Sequence, residues 1–91
     1  MANKPLGLAR AGAGHDKGTL YLVLERDGRT ALLADGRRRK LDRPKRKNRK
    51  HVEFLPDSFY TAVSGLLREQ MTDAAVRRFL AEAERRQSEA E

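Results

Sequence analysis

The chain has 91 residues, room for one small domain and an appendage, which excludes a multidomain enzyme. Twenty Lys and Arg against 13 Asp and Glu leave a formal charge of +7, so an anionic partner is expected, nucleic acid ahead of a membrane surface. The absence of Cys excludes a disulfide scaffold and any thiolate zinc site, and no apolar run approaches the ~20 residues of a membrane span.

Residues 1–5 read as a flexible N-terminus without a signal-peptide apolar stretch, so a cytoplasmic protein is expected. Leu6-Gly7-Leu8-Ala9-Arg10-Ala11 predicts a first strand, ended by a Gly12-Ala13-Gly14 turn. Gly14 and Gly18 then bracket His15-Asp16-Lys17, where the backbone must turn tightly. The apolar run Leu20 to Leu24 predicts a strand buried largely on both faces. Asp27-Gly28 predicts a two-residue hairpin with positive φ at both central positions, and Thr30 to Ala34 the return strand. Asp35-Gly36 repeats the turn signal, and Arg37 to Leu41 predicts a further strand, polar except at its end. Beyond Pro44, Lys50 to Leu55 predicts a last strand in which Val52 and Phe54 alternate with polar neighbours. Five such strands predict a small antiparallel barrel, because closure removes exposed edges.

After Pro56 the apolar period changes. Phe59, Ala62, Val63, Leu66 and Leu67 mark one face of a helix capped by Asp57 or Ser58. A second helix is expected to start at Thr72, with Asp73 in its first turn and a stripe of Ala75, Val76, Phe79, Leu80 and Ala83. The composition from Ala81 to Glu91 predicts fraying. The fold class is therefore mainly β with C-terminal helices: a barrel over 6–55 and a helical appendage over 56–91.

Charge is concentrated in one place. Ten of the fourteen residues from Arg37 to Lys50 are basic, opposed only by Asp42. Such a block repels itself unless something neutralises it, so 43–50 is expected to order only on a ligand. The candidate nucleic-acid contacts are Arg37, Arg38, Arg39, Lys40, Arg43, Lys45, Arg46, Lys47, Asn48, Arg49, Lys50 and His51, joined by Lys17 from the glycine-bracketed turn. In that turn Gly14, Asp16 and Gly18 have structural roles, with Asp16 bracing Lys17 or the loop backbone. No amphipathic basic helix can be drawn through Pro44, which disfavours a lipid surface.

Nothing points to catalysis. His15 and His51 are the only histidines, no spacing suits a metal, and Ser58, Ser64 and Ser88 lack a nucleophile elbow. No phosphate-binding glycine loop is present, so neither a cofactor nor a small-molecule substrate is expected. Aromatic residues are few, and a base-stacking platform is not expected; phosphate contact with a structured nucleic acid is.

At Gly14-His15-Asp16-Lys17-Gly18, running into Thr19-Leu20-Tyr21-Leu22-Val23, the chain resembles the KOW motif. The similarity continues through Ala34-Asp35-Gly36-Arg37, Arg39-Lys40-Leu41, Arg43-Pro44-Lys45-Arg46-Lys47-Asn48 and Lys50-His51. Over residues 8–55 it resembles the small bacterial KOW-domain RNA-binding proteins, which are related to KOW-type ribosomal proteins of archaea and eukaryotes. The resemblance implies an SH3-like barrel, RNA binding with ribosomal RNA foremost, and partnership with the ribosome or its proteins. The alternative is an adaptor of the transcription or translation machinery that docks through its C-terminal helices, and the sequence also leaves double-stranded DNA open as the ligand.

Overall fold

Strands β1 (Gly7–Ala11), β2 (Leu20–Arg26), β3 (Thr30–Ala34), β4 (Lys45–Asn48) and β5 (Val52–Phe54) pair antiparallel in the order β4-β3-β2-β1-β5. In this computed structural model, which describes residues 7–67 and 71–90, the sheet curls into a half-barrel with helices packed on it. The expectations for Met1 to Pro5, Leu6 and Glu91 lie outside the described residues.

The most apolar strand takes the centre. Alternate residues of β2 serve two cores. Leu20 and Leu22 join Leu8 of β1 and the helices, whereas Tyr21 and Val23 join Ala9, Ala11, Ala31 and Leu33 on the opposite face. All four of these β2 side chains are buried, so the reading of a two-faced strand holds. A register shift between Val23 and Glu25 marks a bulge where β2 leaves the core.

The β2–β3 hairpin forms where predicted but by other means. Gly28 and Arg29 are its central residues, and neither has a positive φ. The turn is closed instead by Asp27, whose Oδ1 accepts from the backbone N–H of Arg29 and of Thr30, each at 2.8 Å. These two bonds hold the exposed Asp27 carboxyl below the usual carboxylate range.

A larger correction concerns the strand expected at Arg37 to Leu41. Residues 37–43 are turns and bends, and the strand beside β3 is Lys45–Asn48. Within segment 43–50, Lys45–Asn48 pair with β3 and Arg49–Lys50 enter a 3-10 turn, so the segment is structured without a ligand.

Helix α1 (Asp57–Val63) begins after Pro56, with no side-chain cap from Asp57 or Ser58, and tightens into a 3-10 turn at Ser64–Leu67. Asp57 stands in its first turn, where the helix dipole favours an acid. Val63 is buried, Phe59 packs against the helix-side core, and Ala62 faces solvent; the side chains of Leu66 and Leu67 lie outside the described set. Helix α2 (Asp73–Ala90) starts as predicted, with Thr72 Oγ1 accepting from Ala75 N–H at 3.0 Å. Its whole predicted stripe, from Ala75 to Ala83, is buried, and Tyr60 of α1 stands against Phe79 with ring centroids 5.6 Å apart.

The helix also continues where fraying was expected. Glu82 is bonded by Arg85 and Arg86, which lower its carboxyl to about 2, and Arg85 reaches Glu89 one turn on. Arg10 of β1 adds a clasp to the sheet, contacting Glu84 at 2.6 Å and Gln87 on α2, and Gly18 O at 2.8 Å.

Candidate nucleic-acid interface

The glycine-bracketed turn is built as the sequence suggests. Gly14 and Gly18 have φ of +88° and +90°, which only glycine adopts readily. Lys17 N–H donates to Gly14 O at 3.2 Å, and the Lys17 side chain is exposed. Asp16, however, does not brace Lys17. Its carboxylate accepts from Tyr21 Oη at 2.7 Å, Lys47 Nζ at 2.8 Å and Lys45 Nζ at 3.3 Å. Burial opposes ionisation of this carboxyl, but the bonds from Lys47, Tyr21 and Lys45 outweigh it and hold it well below the usual range. Burial and the adjoining carboxylate push the Tyr21 hydroxyl up.

This is the counter-charge that the basic run lacks in sequence. Lys45 and Lys47 lie opposite Leu33 and Ala31 in the ladder, so both point to the same side of β4. Lys47 is 11% exposed and also donates to Ala13 O at 3.0 Å. One carboxylate serves both, so the pair keeps a net positive charge, with Lys47 the more enclosed of the two.

The remaining cations divide into two groups. The first is the loop 37–43, whose backbone is tied down at several points. Asp35 Oδ1 accepts from Arg37 and Arg39 N–H, each at 2.9 Å. Leu41 N–H donates to Asp73 Oδ1 at 2.8 Å, and Arg77 Nη1 donates to Gly36 O at 2.7 Å. Gly36 has φ of +76°, and a Cβ there would stand 2.5 Å from Asp73 O, so the loop lies flush on the start of α2. On this base Arg37, Arg38, Arg39, Lys40 and Arg43 are exposed and form no ion pair with a described residue.

The second group surrounds the β2–β3 hairpin. Arg46 Nη1 donates to Thr30 Oγ1 at 3.0 Å from the exposed side of β4. Asn48 caps the short 3-10 turn Arg49–His51 by accepting from Lys50 N–H at 3.0 Å. Arg49 bonds Asp27 O at 2.8 Å through its side chain and Arg29 O at 2.8 Å through its N–H. Lys50 and His51 have exposed side chains, and His51 O accepts from Gly12 N–H at 2.7 Å. The guanidinium of Arg49 lies 5.3 Å from the Phe54 ring centroid, and that of Arg26 lies 4.7 Å from it.

Sequence reasoning places one continuous strip at 37–50; the fold makes an anchored loop, an inward lysine pair and a hairpin cluster. It missed Arg26 and Phe54, which only the strand pairing brings to Arg49. It also missed Asp35, Asp73 and Arg77 as the supports of the loop. The repeated Asp-Gly pair was the one visible signal for Asp35.

No family model matches the chain, and no curated protein matches it significantly. Among the described residues, no group of three or more His, Asp or Glu could hold a metal, and no helix is long and apolar enough to cross a membrane.

Proposed function

We propose that this chain is a non-catalytic, cytoplasmic RNA-binding protein that engages the phosphates of structured RNA, ribosomal RNA foremost. The observation that carries the reading is the loop 37–43, which exposes five cations with no ion-pair partner among the described residues, on a backbone fixed by Asp35, Asp73 and Arg77. Unpaired like charges in one loop repel one another, and an RNA backbone relieves that repulsion while releasing its own counterions. Arg suits the task because its planar fork meets two phosphate oxygens at once. Lys17 and the hairpin cluster extend the basic surface. The KOW resemblance supports the ribosomal assignment. Docking of a partner on the C-terminal helices is less well supported, because the apolar stripe of α2 is already buried against the sheet.

The test is titration of a ribosomal RNA fragment over a range of salt concentrations. With about five phosphates neutralised, log K should fall against log salt with a slope of about −4. A slope near −1 contradicts the reading.

A further inference from the structure

The hairpin cluster differs in kind from the loop, because it contains an aromatic ring. Phe54 of β5 is half-buried, and two guanidinium groups lie over it, from Arg26 at the end of β2 and Arg49 in the 3-10 turn. These side chains come from three separate elements. Arg49 is held in place by Asp27 O, and its backbone is bonded to Arg29. Arg26 is exposed and forms no ion pair with a described residue. The Arg26 guanidinium is planar, and it is exposed where it lies over the ring, so it can take another planar group.

We propose that Arg26, Phe54 and Arg49 form a stacking site for an unpaired nucleobase of the RNA. The inference rests on the RNA reading above and deepens it. The anchored loop 37–43 takes phosphates of a paired segment, and the hairpin cluster takes a base that has left the stack. The preferred ligand is then RNA with a bulge or a helix-to-loop junction, not a continuous duplex. Exposed Arg29, whose backbone O accepts from Arg49 N–H, stands beside the site to receive a flanking phosphate. A base stacked on a planar group needs no edge-specific hydrogen bonds, so the site selects for an unpaired nucleotide more than for its identity.

The experiment compares a fully paired RNA duplex with the same duplex carrying one bulged 2-aminopurine, each titrated with the full chain. The bulged RNA should bind about tenfold more tightly, with 2-aminopurine fluorescence quenched on binding. Arg26→Lys keeps the charge and removes the flat face, so it should abolish the preference and the quenching while leaving the duplex affinity and its salt slope in place. Phe54→Leu should do the same, and Arg26→Lys covers the case in which Phe54→Leu weakens the fold. Equal binding of the two RNAs by the unaltered protein, or retained quenching in Arg26→Lys, overturns the stacking site and leaves the phosphate reading standing. Failure to bind either RNA overturns both.

Discussion

Lys47 Nζ lies 2.8 Å from Asp16 Oδ1, joining a turn after β1 to the outer strand β4 across 31 positions of sequence. With Lys45 and the Tyr21 hydroxyl on the same carboxylate, the contact turns half of a basic strand into an internal tie. Removing the acid would leave Lys47, 11% exposed, without its charge partner.

Asp16→Asn should therefore destabilise the protein by about 2 kcal/mol at neutral pH, measured by urea unfolding. The pH dependence has a definite sign. Asp16 is depressed in the folded state, so its contribution is complete above its ordinary value of 3.8 and is lost as pH falls towards the folded value. The gap between wild type and Asp16→Asn should shrink through that acid range. A gap independent of pH would refute the assignment.

Charge reversals should separate by address. Arg38→Glu, Arg39→Glu and Lys40→Glu together should abolish RNA binding and leave the melting temperature within a few degrees, because these side chains are exposed and form no ion pair with a described residue. Lys47→Glu should lower the melting temperature sharply by setting a second acid against Asp16. Circular dichroism melts beside filter binding distinguish the two outcomes.

Two glycines offer a matched comparison. Gly36→Ala should cost ~2 kcal/mol or more, since it combines a positive φ with a Cβ only 2.5 Å from Asp73 O. Gly28→Ala, with no neighbour within 4 Å and no positive φ, should leave stability within about 0.5 kcal/mol.

Deletion of residues 57–91 should unfold the barrel instead of releasing it as a free module. Phe79 and Val76 cover Leu8, Leu20 and Leu22 on the helix side of the sheet, and deletion exposes all three. Phe79→Ala alone should cost about 3–5 kcal/mol. A truncated chain that retains a cooperative melt would disprove this.

The legible parts of the sequence were those governed by local pattern. The run Leu20 to Leu24, the return strand at Thr30 and the stripe on α2 each state their period within a few residues, and each stands where expected. Polar Arg37 to Leu41 was misread because Asp35 and Asp73 capture its backbone N–H groups that a strand would have used. β4 was not visible as a strand because Lys45, Arg46, Lys47 and Asn48 are all polar, and what selects the inward pair is Asp16, far away in sequence. The fraying predicted after Ala81 ignored Arg10, whose clasp on Glu84 comes from the opposite end of the chain.

The anchoring of loop 37–43 has a thermodynamic consequence. A chain segment that folds onto its ligand must give up about 1–2 kcal/mol of backbone entropy per residue as it binds. Here Asp35, Asp73 and Arg77 have already exacted that loss during folding, so association freezes side-chain rotors and little else. Calorimetry of the complex should accordingly show a small heat-capacity change, the signature of a preformed surface meeting RNA instead of a disordered arm folding on it.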